Sequence, residues 1–539
     1  MTSNDSHGSR IGRRSYLAGS LVGLGTLSIA GSGTVDGSGD QSGNQCPAPQ
    51  PDEETDDRQD EAIDDQRDED SDDHADEPSD DQYETVVDVV EAGADPTGTE
   101  SITSVLREHV GDDTLLEFPA GEYYMDEQLR LTGFENVGFV GENATLVPAT
   151  YHEFDGPQYR LFRLGTSDNP GRDLRFENFD VDQTADDTGI RVVSAEVKDG
   201  LTVRNVTVRG IHDSGTWGPG LFNVTDPDGE GVVSRFHATS GAVHVDETPN
   251  AGNMWRGATG INVNQHHRGT LAFKNCSLGG FPDNGLYVSS ETGRVDVEGG
   301  WYQNSGTASI RLSGRHGTIT DAVAVVDADP HGSDGQHPVR LDGGDRFEID
   351  GVTVDVPRPN GDAIRIMNDV DATAITNTEI TVGNAPNNGI KIGPEAGQTR
   401  IENVDIEVDG SANAVRILGQ DAGAVELDDV RITGDAPGTR LRHAIYCERN
   451  ECRFTGLSVD QPGPDKRRGI ELRGETYLLR ESDFQTTHVP IVVNGADGVR
   501  IENCYAGTAE GDHSLRIISD SGSVSLSNND FPVGVRDDR

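Results

Sequence analysis

The sequence predicts an all-β protein: a right-handed parallel β-helix (β-solenoid) of about 14 coils with an N-terminal, helix-containing cap. Three observations predict it. A short motif, apolar-x-Asn-x-x-apolar, recurs from residue 134 almost to the C-terminus. Its spacing is regular: from Gly351 the steps are 26, 26, 26, 27, 25, 22 and 25 residues, a period that marks stacked repeats. Each unit shows strand-like alternation, so the repeat is β and not helical.

The elements follow in chain order. Residues 1–33 read as an export signal: Arg13-Arg14-Ser15-Tyr16-Leu17 opens an apolar run to Ala30 and resembles a twin-arginine signal. The run is short and rich in Gly and Ser, which favours cleavage over a membrane anchor. The mature chain is then expected outside the cell or at its surface, with no membrane span. Cys46 lacks the apolar neighbour of a lipid-attachment site. Residues 34–82 form an acidic linker; residues 52–81 alone hold 18 Asp or Glu against two Arg. Such a run cannot bury enough surface to fold. It reads as a solvated spacer, with calcium capture as the alternative; no other cofactor and no metal site is assigned.

Residues 83–150 form the cap and first coil. Strand-like Thr85–Val90 leads through a turn to a short helix over Ser101–Val110, and Thr114–Tyr123 returns to strand. An amphipathic helix there would cover the open end of a solenoid. Residues 151–531 carry the coils, with an irregular insertion at about 209–258, and residues 532–539 form a tail. The repeat motif appears as Phe134-Glu135-Asn136, Phe176-Glu177-Asn178, Val203-Arg204-Asn205, Phe273-Lys274-Asn275 and Ile401-Glu402-Asn403, among others. Gly, Asp or Glu takes the Asn place at Gly299, Asp321, Gly351, Asp429, Gly456 and Glu481. The Asn column is expected at one buried corner, its amides bonded along the stack. Of the four glycan sequons at Asn143, Asn205, Asn223 and Asn275, that leaves Asn143 and Asn223 accessible. Cys447 and Cys452, five apart across a turn, are able to pair in an exported protein.

Composition sets limits on function. Net charge is −52, and only four of the 43 basic residues are Lys. An acidic, Lys-poor surface suits a halophilic protein and argues against nucleic acid as a partner. The hydrophobic share is 33%, which fits a thin rod better than a thick globular core. The rod is expected to be monomeric.

The segments Gly93-Ala94-Asp95-Pro96-Thr97-Gly98 and Phe118-Pro119-Ala120-Gly121-Glu122-Tyr123-Tyr124-Met125 resemble the N-terminal part of the pectate lyase-like superfamily of single-stranded β-helix proteins. The resemblance covers nearly all of residues 84–531. It implies the fold strongly and the activity weakly, because that fold hosts lyases, hydrolases, epimerases and non-catalytic surface proteins.

A second pattern inside each coil, small-apolar-x-apolar, points to chemistry. Its middle residue faces outward on a strand. In coil order these residues are Arg191, Asn262, Tyr287, Arg311, Arg340, Arg365, Lys391, Arg416, Tyr446, Glu471, Val492 and Arg516. Stacked like charges repel, so acids nearby or an anionic ligand must compensate. The resemblance implies that the corresponding strand lines a substrate groove. Arg340, Arg365, Lys391 and Arg416 are therefore candidates for gripping the carboxylates or sulfates of an acidic polysaccharide. The insertion adds Trp217 and Trp255 for sugar stacking. Uronate elimination needs a cation to offset the carboxylate and a base for the C5 proton. Tyr287, Arg311, His266 and Asp283 are the catalytic candidates. The paired Asp motifs of the polygalacturonase family are absent. Asp329-Pro330-His331-Gly332 is similar to the Asp-Pro-His-Asp of mannuronan epimerases, with Gly332 replacing the last Asp. The expected function is an exported lyase or epimerase acting on uronate glycans. The alternatives are a non-catalytic surface rod that binds glycan or builds a cell-envelope layer and, third, a glycoside hydrolase.

Overall fold

A computed structural model describes residues 82–155, 159–249, 254–333, 335–440 and 442–539. The export signal, Cys46 and all but the last residue of the acidic linker lie outside the described residues. The described residues belong to one compact unit. It is a parallel β-solenoid. Every strand ladder pairs residues one coil apart in parallel, for example Ile364 with Ile390 and Ile390 with Val415.

One face stacks 17 strands, from Thr85–Asp88 and Thr114–Phe118 to Asp497–Glu502 and Val524–Ser527. Among the described residues there are thus 17 coils where the motif count gave 14. Three had no Asn to mark them. Two are the strands Thr85–Asp88 and Thr114–Phe118, which belong to the stack and not to a separate cap. The cap proper is the short helix Thr103–His109, which buries Leu106. The third coil lies inside the expected insertion. Gly220–Val224 and Glu230–Ala238 pair with the coils before and after them. Among the described residues of this stretch, the irregular chain lies in the segments around 210–219, 239–249 and 254–260.

The motif has a backbone cause. Asn136, Asn178, Asn205, Asn275, Asn377, Asn403 and Asn503 all have φ between 49° and 63°. Among L-residues, Asn and Asp tolerate this left-handed conformation best, and Gly adopts it freely. That explains why Asp321, Asp429, Gly299, Gly351 and Gly456 substitute there. In the hidden coil Arg235 takes the corner at φ 50°, and its Nε donates to Asn205 Oδ1 at 2.5 Å. The amides do bond along the stack: Asn205 Nδ2 donates to Asn178 Oδ1 (2.7 Å) and Asn403 Nδ2 to Asn377 Oδ1 (2.6 Å). They do so exposed, not buried, because the turn projects them from the corner. Asn223, by contrast, is fully buried and bonded to Glu196 and Asn264, so it is no glycan acceptor.

The core is a file of apolar residues inside the coils. Ile364, Ile366, Ile390 and Ile392 are fully buried, as their alternation requires. Cys447 and Cys452 are buried free thiols with their sulfurs 3.8 Å apart. No described helix is long and apolar enough to cross a membrane.

Candidate functional site

The outward residues form a continuous ladder. It runs Arg130, Arg163, Ser194, Leu221, Asn262, Tyr287, Arg311, Arg340, Arg365, Lys391, Arg416, Tyr446, Glu471, Val492, Arg516, Arg536. Arg191 does not belong to it. Arg191 pairs with Arg160, and Ser194, three residues later, holds the ladder position. The local pattern at 189–192 misleads because the strand Arg191–Val197 is buried on both faces and so lacks alternation.

One cleft, of about 390 Å³, is lined by Trp217, His266 and Tyr287 together with Asn262, Arg160, Arg163, Arg191 and Glu196. The loop 210–219 brings in Trp217, whose side chain stays about half exposed. His266 follows strand Ile261–Val263 in a turn fixed by Asn264 Oδ1, which accepts its backbone N–H at 2.9 Å. His267 turns the other way into the core. Its Nδ1 accepts from the Val224 N–H and its Nε2 donates to the Arg294 carbonyl, so the two histidines share no ligand. Trp255 is 80% exposed and does not line this cleft.

Arg160, Arg163 and Arg191 crowd together against one carboxylate. Glu196 pairs with Arg163 at 2.6 Å and accepts from Asn223. Arg160 Nε and Arg191 Nη2 are buried without a partner. Burial, then the neighbouring Arg163, pushes Arg160 down to about 10. Burial, then Arg160 and Arg163, lowers Arg191 as well. Sequence reasoning missed Arg160 and Arg163. Their signal was the strand Arg160-Leu161-Phe162-Arg163-Leu164, whose coil carries no motif of the second kind.

Arg311 lies over the Tyr287 ring, 4.5 Å from its centroid. Its guanidinium grips Asp342, which also accepts from Arg340 Nε at 2.5 Å. Asp342 reaches both because it is the extra residue of a β-bulge between Leu341 and Gly343. Asp283, just before the Tyr287 strand, has its carboxyl raised by burial. Thr307, Arg311, Thr259 and Arg256 oppose the rise.

A second cleft, of about 410 Å³, lies further along and is lined by Arg340, Arg365, Lys391 and Arg416 with His337 and Asp362. Here the cations are half-buried, not exposed as their alternation suggested, and all but Arg416 fold onto acids. Asp362 accepts from Arg365 at 3.0 Å and lies 3.6 Å from Lys391. Burial raises the Asp362 carboxyl, but Lys391, Asn388 and His337 outweigh it and hold it below its usual value. The expected column residues thus join two clefts, with Tyr287 and Arg311 at the seam. Among the described residues no group of three or more His, Cys, Asp or Glu is placed to hold a metal ion.

His212 ties the loop beside the first cleft to the rod. It is buried, with Nε2 2.8 Å from Thr216 Oγ1. Burial, then Arg191, pushes it down to about 3. A histidine held below its unfolded value of about 6.5 gives stability that is complete above that pH and lost as pH falls toward 3. Melting temperature is therefore expected to hold above pH 7 and drop between about pH 6.5 and 3. His212→Gln should flatten part of that drop in circular-dichroism melts. An unchanged slope would place the acid sensitivity elsewhere.

No family model matches this chain, and no curated protein does. Among solved structures, it is similar to ORF18 of Geobacillus virus E2, at 12% identity and TM-score 0.33, over 69% of this chain and 61% of that one. It thus spans less than two thirds of that protein. It is also similar to the catalytic unit of a GH87 α-1,3-glucanase from Streptomyces thermodiastaticus: 15% identity, TM-score 0.35, over 82% and 68% of the two chains. A third is the mannuronan C-5 epimerase A-module of Azotobacter vinelandii: 9% identity, TM-score 0.30, over 83% and 96%.

Proposed function

We propose that the protein is exported and acts on an acidic, uronate-containing polysaccharide, as a lyase or epimerase. One observation carries the reading. Two buried guanidinium nitrogens, on Arg160 and Arg191, lack partners in the cleft that also holds Tyr287, His266 and Trp217. A uronate carboxylate seated on those arginines would complete their hydrogen bonds. It would then accept electron density as the C5–H bond breaks. Tyr287 or His266 takes the proton. In elimination the pair moves on to form the 4,5-double bond as the C4–O bond breaks, and the departing oxygen takes up a proton from the group that received it or from water. In epimerisation a proton returns to C5 from the opposite face. Trp217 offers its face to a neighbouring sugar. Hydrolysis fits less well, because it wants two facing carboxyls and Glu196, tied to Arg163, is the one carboxylate lining this cleft. Incubating the full chain in molar salt with a panel of uronate polymers tests the proposal. Growing absorbance from unsaturated ends, or altered epimer composition by NMR, is expected. Neither product with any polymer would overturn it.

A second reading, a non-catalytic rod that binds glycan or serves in a cell envelope, draws on the second cleft. There Arg340, Arg365 and Lys391 each already have an Asp partner, as in a self-neutralised lattice. Debye screening reaches only about 3 Å in 1 M salt, so binding must come from direct contacts. Arg311→Lys and Arg340→Lys keep the charge and lose the planar fork. Each is expected to weaken polyuronate binding by about tenfold, read by affinity electrophoresis, with melting unchanged. Parental binding in both variants would assign the column to the lattice alone.

A further inference from the structure

A third cleft, of about 380 Å³, opens where the cationic ladder meets Tyr446 and Glu471. It is lined by four arginines, Arg416, Arg440, Arg442 and Arg468, and by His443. Its electrostatics differ from those of the second cleft. Further up the ladder Arg311, Arg340, Arg365 and Lys391 each lie within 3.6 Å of a carboxylate. Arg416, Arg440, Arg442 and Arg468 have none among the described residues. Glu471 is the one carboxylate in the lining, and it is occupied. His443 Nδ1 lies 3.1 Å from its Oε2, and Asn494 Nδ2 donates to Oε1 at 2.6 Å with Arg473 at 3.7 Å. The Arg416 Nε and the His443 Nε2 are buried and bonded to nothing. Burial, then Arg468, Arg467, Arg442 and Arg473, pushes His443 down to about 3, so it adds no charge of its own at neutral pH.

Four guanidinium groups around one small cleft repel each other unless an anion stands between them. In a chain of net charge −52, acids were plentiful, yet the carboxylate in this lining, Glu471, is engaged by His443, Asn494 and Arg473 and forms no ion pair with the four arginines among the described residues. The geometry also bears on the anion. A carboxylate offers two oxygens in one plane and suits one or two forks. A tetrahedral oxyanion offers at least three oxygens in different planes and accepts from several forks at once. We propose that this cleft binds a tetrahedral oxyanion, a sulfate or phosphate group carried on a glycan. The site shares Arg416 and Arg440 with the second cleft, lies apart from the cleft of Tyr287 and Arg191, and does not rest on the uronate reading.

Isothermal titration of the full chain in molar sodium chloride tests it, with a sulfated oligosaccharide, its desulfated parent and sodium sulfate as probes. Saturable one-site binding is expected for the sulfated oligosaccharide and not for its parent. Arg440 and Arg442 are exposed, so Arg440→Gln and Arg442→Gln should fold normally. Each is expected to weaken binding by about tenfold, while Arg500→Gln on strand Asp497–Glu502, which lines none of the three clefts, leaves it unchanged. Sodium sulfate binding as tightly as the ester would support the oxyanion site and name the free ion as its source. No saturable binding, or equal binding in all three variants, would overturn the proposal. The uronate reading is judged apart, on unsulfated polymer.

Discussion

Replacing Arg449 with Leu is expected to destabilise the C-terminal half of the rod by about 3–5 kcal/mol. Arg449 is among the largest fully buried side chains in the protein. Among the described residues no carboxylate pairs with it. Its guanidinium donates instead to backbone carbonyls of the two preceding turns: Gly393 (2.7 Å) and Gly397 (3.2 Å) in one, Leu418 (2.8 Å), Gly419 (3.4 Å) and Gly423 (3.0 Å) in the other. Turn carbonyls in a solenoid have no ladder partner, and an unsatisfied buried acceptor costs about 1–3 kcal/mol. One planar fork here staples several turns together. Leu fills much of the volume and supplies no donor. Arg449→Lys should fall between, since three donors replace five. Thermal melts, with protease cleavage between 393 and 425 as the local readout, check this. A loss within about 0.5 kcal/mol, the range of ordinary surface changes, would mean that water takes over the carbonyls.

Nothing in the sequence marked Arg449 as a staple, and the reason is general to this fold. Periodicity reports the inward apolar file and the left-handed corner, since both recur in every coil. It read Ile364, Ile366, Ile390 and Ile392 correctly and placed Asn205 and Asn403 in one column. It failed where one residue breaks the pattern while the backbone keeps it. Arg235 adopts the Asn corner conformation, so a whole coil passed as an insertion. Arg191 imitates an outward cation, yet its strand is buried on both faces. Expected burial of the corner amides also failed, because the positive φ, not desolvation, selects Asn there.

The chemistry was legible in part, and for a related reason. Outward residues of successive coils must stack, so the run from Tyr287 to Arg416 was visible as a ladder. What lies between ladder positions was not. The bulge that delivers Asp342 to both Arg311 and Arg340 has no composition signal. The loops that carry Trp217 and His266 to Tyr287 have no period. The four arginines of the third cleft, none in an ion pair among the described residues, come from separate strands and one loop. Only Arg416 among them was predicted, because Arg440, Arg442 and Arg468 sit outside the alternation. That Glu471, the carboxylate beside them, is engaged by other groups is a property of three-dimensional neighbours.

Tyr287→Phe is expected to lower turnover of a uronate polymer by about 10²- to 10⁴-fold, the usual contribution of a positioned acid or base, with little change in binding. The substitution removes one hydroxyl from a half-buried position. The ring stays beneath the Arg311 guanidinium, so the 4.5 Å stack survives and melting should move little. The arginines that would hold the carboxylate, Arg160 and Arg191, belong to earlier coils and are untouched. Loss in kcat with KM retained would therefore assign proton transfer to Tyr287. His266→Gln gives the complementary case from the same cleft. If His266 is the base, its variant carries the large loss and Tyr287→Phe stays within about threefold of the parent. Comparable small effects from both would remove proton abstraction from this cleft and leave it a glycan-binding surface. Arg191→Met separates the remaining possibility. It removes a guanidinium with an unpartnered nitrogen and should raise KM for uronate polymers, whichever residue takes the proton.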